Sequence, residues 1–195
     1  MSVFRMYLDL GFHHIIDFRA YDHLLFIICL CAVYRFNEWK HVAILVTAFT
    51  LGHSSALALS TLNILAIKSE LVEFLIPLTI FITAVANILV KSTDYSASLH
   101  RFKYITALVF GLIHGLGFSN FLKSLLGNEE SIITPLFAFN LGLEIGQLLV
   151  VSAIFVIALI TIDYLKALKR EWSLVLSGMG LGVSLILMFE RSGLF

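Results

Sequence analysis

Six apolar runs, separated by short charged stretches, restrict what this chain can become. They fall near 20–35, 39–62, 70–91, 102–119, 134–164 and 172–190. A run of ~20 apolar residues is what a helix needs to cross ~30 Å of hydrocarbon. In that solvent every backbone N–H and C=O must be paired within the chain, and runs of this length meet the requirement as helices. Charge is correspondingly scarce. Asp, Glu, Lys and Arg make up 13% of the 195 residues, mean hydropathy is +0.97, and a soluble domain carries ~25% charged residues. The expected fold is all-α, a polytopic bundle of about six spanning helices forming one membrane domain over residues 1–195. Residues 1–18 are expected to precede it as an interfacial amphipathic helix, with Val3, Met6, Tyr7, Leu10 and His14 sharing a face.

The runs differ in detail. The first is short for a full crossing. The fifth, 134–164, is long for one straight span and is expected to tilt, protrude or kink near Gly142 and Gly146. Residues 92–100 and 120–131 read as loops, the second with a helical turn at 121–126. Gly111, Gly115 and Gly117, and Ser177, Gly178, Gly180 and Gly182, suit close helix approach. Cys29 and Cys31, two residues apart on a helix, do not face one another and read as small core residues. Asp9, His13, His14 and Asp17 interrupt the first segment, so no cleavable signal peptide is expected.

Six spans place both termini on one side. The loops on the other side hold Arg35, Lys40, Lys91, Arg101, Lys103, Lys166, Lys169 and Arg170, against Arg5, Arg19, Lys68, Lys123 and Arg191 on the side of the termini. The positive-inside rule then sets both termini outside the cytoplasm. This topology gives each polar residue a depth. His53 lies nine residues before the end of its run, about 13 Å below the outer edge. His114 is in the outer half of its own run. Asn140, Glu144 and Gln147 share a face and enter from outside. His14, Asp17, Asp22 and His23 precede an inward run and lie on that side too.

Ionisable groups inside a membrane face a partner, a cavity or an ion rather than lipid. Imidazole nitrogen and carboxylate oxygen suit borderline divalent ions such as Ni, Co or Zn. The candidate ligands are His14, Asp22, His23, His53 and His114, with Glu144 as a ligand or a group supporting one. His13 is an alternative to His14. Asn87 reads as an interhelical hydrogen bond, and Glu73 as a partner of its helix dipole or part of an entrance.

At these residues the chain resembles the HupE/UreJ family of membrane proteins, in its second subgroup. The run His14…Asp22-His23-Leu24-Leu25-Phe26 is similar to the His…Asp-His element of that family's first helix, with seven residues between His14 and Asp22. Phe49-Thr50-Leu51-Gly52-His53-Ser54 resembles its Gly-His element. Phe110–Phe118 and Phe139–Gln147 resemble two further blocks. The resemblance implies a secondary permease for nickel or cobalt in the bacterial inner membrane.

Two functions of different classes are therefore expected. One is a divalent-metal permease with its site in the outer half of the bundle. Its inner half offers few oxygens for a path, chiefly Thr47, Thr83 and Asn87. The alternative is an intramembrane zinc-dependent hydrolase acting on a lipid or lipidated substrate, with Glu144 or Asp22 as base and Ser54 polarising a carbonyl. The partners expected are membrane lipids and the metal ion, and the sequence leaves room for a homo-oligomer. A net charge of zero gives no reason to expect nucleic acid.

Overall fold

A computed structural model describes residues 2–17, 21–89, 97–127 and 131–192. Seven α-helices run in chain order: α1 Val3–Ile16, α2 Tyr21–Cys31, α3 Trp39–Thr61, α4 Ser69–Leu89, α5 Ala97–Leu126, α6 Ile133–Ala158 and α7 Lys169–Arg191. A 3-10 turn, Phe36–Glu38, leads into α3, and α6 ends in a π-helical segment, Leu159–Tyr164. There is no strand among the described residues. Five segments are long and apolar enough to cross a membrane: Phe36–Thr61, Ser69–Leu89, Lys103–Leu126, Ile133–Tyr164 and Lys169–Arg191.

Two helix pairs in backbone contact organise the bundle. On α3 and α5, a Cβ at Gly52 would overlap the carbonyl oxygen of Leu108, and one at Gly111 would overlap that of Phe49. On α1 and α6, Gly11 meets the carbonyl of Phe139 and Gly142 that of Leu8 in the same way. Each glycine thus aims a Cα–H at a carbonyl of the facing helix, a weak hydrogen bond that recurs where helices approach this closely. Gly142 and Gly146 are accordingly packing positions under α1, and α6 continues through both without interruption.

The sixth crossing is divided. The eleven residues of α2 span about 16 Å, half of the ~30 Å hydrocarbon layer. The start of α2 lies beside His114, whose ring is 5.2 Å from that of His23. Its far end lies where α4 finishes and α5 and α7 start. Asn87 Nδ2 donates to Cys29 O at 2.7 Å, and the Lys103 ammonium sits 5.0 Å over the Tyr34 ring. The other half belongs to α1. It lies along the first part of α6 and advances in the same direction, with Phe4 beside Phe137, Leu8 against Gly142, and Phe12 and Ile15 against Gly146. So α1 is part of the bundle wall. Its buried face is Tyr7, Gly11 and Ile15, while Val3 and Met6 are 42% and 43% exposed, where an apolar face toward lipid would lie.

Two further differences concern loops. Helix α5 runs on to Leu126 instead of ending near 119. Leu122 and Leu126, one turn apart, are buried, and Asn120 and Lys123 bond Ser69 and Asn63 at the mouths of α4 and α3. Residues 97–100, expected as loop, are helical. The loops expected at 92–96 and 128–130 lie outside the described residues. The polar glue is as expected: Asn87 also reaches Ser177 Oγ, tying α2, α4 and α7 together. Both cysteines are free and buried, and Cys29 Sγ fills the notch left by Gly180.

Candidate metal centre

The two glycine contacts determine which side chains meet. Gly52 precedes His53, and Gly115, which follows His114, packs on the backbone of His53 itself. The α3–α5 contact therefore brings His53 and His114 to one level of the bundle. The α1–α6 contact delivers His14 to the same level, and the break between α1 and α2 leaves Asp22 and His23 facing it.

The result is a cluster of imidazoles. Ring centroids are 4.6 Å apart for His14 and His23, 5.8 Å for His14 and His53, 6.1 Å for His23 and His53, and 5.2 Å for His23 and His114. His14, His23 and His53 each offer a nitrogen within 4.8 Å of the others. A tetrahedral ion with bonds of ~2.0 Å holds its donors about 3.3 Å apart. Small ring rotations close that difference.

The hydrogen bonds on the outer side of the cluster dictate its tautomers. His23 Nδ1 lies 3.1 Å from Asp22 Oδ1, and His114 Nδ1 lies 2.8 Å from the carbonyl oxygen of Phe110. A carboxylate and a carbonyl can only accept, so both Nδ1 atoms carry the proton and both Nε2 atoms present a lone pair. Those Nε2 atoms are buried without a partner, as are His14 Nε2 and both ring nitrogens of His53. Buried nitrogens left this way cost about 1–3 kcal/mol each. Several together, with lone pairs converging, are the donor set a borderline cation completes. The carboxylate–histidine arrangement is the support that metal-ligating imidazoles commonly have.

Asp22 has a second partner. Arg191 Nη1, at the end of α7, is 3.8 Å from Asp22 Oδ2 and donates to the carbonyl oxygen of Glu73. A cavity of ≈ 230 Å³ opens here, lined by Asp22, Glu73, Arg191, His14, His23 and His114 among others. Glu73 thus belongs to an entrance.

Of the residues expected to converge, Glu144 does not. Its carboxylate accepts the Thr47 hydroxyl at 2.7 Å, on the side of α6 that meets α3. A depth read from the sequence says nothing of direction around the helix. Ser54, expected beside a carbonyl, donates to Thr50 O at 2.7 Å. His13 turns outward and bonds Asp9 O, so His14 is the one in the cluster. Two participants were not among the expected site residues: Arg191, which reaches Asp22 from the end of α7, and Phe118, whose ring packs 4.1 Å from that of His14. The family block Phe110–Phe118 and the placing of Arg191 on the side of the histidines were the signals for them.

Asp22→Asn tests the tautomer argument. The amide can turn an N–H toward His23 Nδ1, which moves the ring proton to Nε2 and removes a lone pair from the cluster. Metal affinity, measured by competition with a chelating dye, is expected to fall about 10–100-fold.

The family model described as HupE / UreJ protein matches residues 1–191. No curated protein and no solved structure matches the chain. With five membrane-length apolar helices and a family match over nearly its whole length, the chain is an integral membrane protein that belongs to the HupE/UreJ family.

Proposed function

We propose that the protein is a secondary permease for a divalent transition-metal ion of the nickel, cobalt or zinc class, and that His14, His23, His53 and His114 hold the ion in transit. The observation that carries this is the set of unpartnered buried imidazole nitrogens gathered at a break between two half-length helices. Transporters commonly build their ion sites at such breaks, midway through the bundle. Membership of the HupE/UreJ family supports a metal-related role. The cavity at Asp22 and Glu73 carries two carboxylates against the single guanidinium of Arg191. With neutral imidazoles, that balance favours a cation. The positive-inside count supports uptake from outside a bacterial inner membrane, with both termini on the outer face.

The hydrolase alternative has less support. A water-activating carboxylate would have to stand beside the ion with a free oxygen. Glu144 faces Thr47, away from the imidazoles, the two oxygens of Asp22 are engaged by His23 and Arg191, and Ser54 is bonded to Thr50.

The test is flux. Purified protein is reconstituted in liposomes that enclose a metal-sensitive dye. Influx of nickel, cobalt or zinc is expected with the native chain and is expected to be lost in His23→Ala. A tightly held ion with no flux in the native chain overturns the permease.

A further inference from the structure

An ion at the histidines has two ways onward. One leads along α2. There Phe26, Phe49 and Phe110 lie beneath the cluster, with Phe26 and Phe49 stacked at 4.9 Å and both rings within about 5 Å of His114. Beyond them a cavity of ≈ 140 Å³ is lined by Leu30, Ile82, Ala107, Thr83 and Asn87 among others and reaches Lys103. A cation taking that way would first pass three aromatic rings and would end against an ammonium.

The other way follows the seam between α3 and α6. Thr50 lies one turn from His53 on the buried side of α3, and Thr47 one turn further, rotated by about 120° from His53 to the exposed edge of the seam. Thr50 Oγ1 donates to Gln147 Oε1 at 2.7 Å, and both residues are buried. Thr47 Oγ1 donates to Glu144 Oε1 at the same distance, at the more open edge of the seam. One turn further on each helix, Ala43 and Leu148 begin an open cavity of ≈ 500 Å³, apolar apart from Ser152 and Trp39, that continues to Phe36 and, among the described residues, holds no cationic side chain. Phe36 belongs to the 3-10 turn at the opposite end of the bundle from the entrance.

We propose that Glu144 is the station that receives the ion from the histidines, with the oxygens of Thr50, Gln147 and Thr47 between them. This rests on the permease assignment and extends it. A carboxylate in the middle of the 32-residue apolar segment Ile133–Tyr164 requires a reason. Glu144 has no ion pair among the described residues, and the hydroxyl of Thr47 does not neutralise it. A passing cation does. The donor chemistry also changes in the useful direction. Imidazoles grip a borderline ion, whereas hydroxyl, amide and carboxylate oxygens hold it less tightly. Conduction needs sites weak enough to leave as well as strong enough to enter.

Glu144→Gln tests this, because glutamine keeps the shape and can still accept from Thr47. Two quantities are measured: equilibrium metal binding in detergent, and influx into dye-loaded liposomes. The expected result is binding within about twofold of native and influx reduced about tenfold or more, with Glu144→Asp recovering part of the influx. Retained binding shows that the variant is folded. Influx equal to native overturns the inference while leaving the permease intact. Loss of binding together with flux, in a protein that still elutes as native, also overturns it, because Glu144 would then belong to the histidine site. Absence of influx in the native chain removes the permease and this inference together, without reference to the variant.

Discussion

Replacing His53 by leucine is expected to raise the melting temperature of the metal-free protein and to abolish its metal binding. His53 is 0% exposed and neither ring nitrogen has a partner. Each orphaned polar group costs about 1–3 kcal/mol, and an apolar side chain of similar size removes the cost. Leucine gives up the stack on Phe139, whose ring lies 6.2 Å away, a contact of about 0.5–1.5 kcal/mol. The net gain is about 1–2 kcal/mol in the absence of metal. With metal the order reverses. A ligand at 100 times its Kd stabilises the native state by about 2.7 kcal/mol, and only the native chain receives it. Melting curves with and without nickel therefore cross between the two proteins. A histidine kept for packing alone behaves otherwise, since its replacement destabilises in both conditions.

The second large effect concerns glycine. Gly52→Ala and Gly111→Ala each insert a methyl group where a backbone carbonyl of the partner helix already stands. No rotamer change relieves an overlap with backbone, so α3 and α5 must separate along their length. Overpacking typically costs about 1–3 kcal/mol, and contact with an immovable backbone puts these substitutions at about 3 kcal/mol or more. The separation also pulls His53 away from His114, so metal binding falls with stability. Gly178→Ala and Gly182→Ala are the contrast. Nothing lies within 4 Å of a Cβ at either position, and alanine is the better helix former by about 0.5–1 kcal/mol. They are expected to leave stability unchanged or to raise it. Thermal melting of the four variants in one detergent checks the difference in sign.

These two effects mark what the sequence made legible. Apolar run length identified the five long helices, because in a bilayer length and hydropathy are the physical requirement. Ordering the runs across the membrane also put His14, Asp22, His23, His53 and His114 on one side, and the structure brings their side chains together. The role of α1 was hidden because its contact face is built on Gly11. Glycine has no side chain to contribute to a hydrophobic period, so the face read from the pattern, Val3, Met6, Tyr7, Leu10 and His14, contains the buried Tyr7 but not Gly11. The helical turn expected at 121–126 is the end of α5; Asn120, Lys123 and Ser124 made it resemble a separate turn in a loop, although Leu122 and Leu126 are buried beneath them. Glu144 shows the limit of depth alone. Residues on one level can face different neighbours, and Glu144 faces Thr47.

On the proposed function, the four imidazoles form one cation site. X-ray absorption at the metal edge of nickel- or zinc-loaded protein measures the ion's first shell directly. The expected spectrum is a nitrogen/oxygen shell at ~2.0–2.1 Å with the outer scattering of three or four imidazoles, from His14, His23 and His53 with His114 beside them. A purified protein that binds no such ion, or an ion whose shell contains no imidazole, contradicts it.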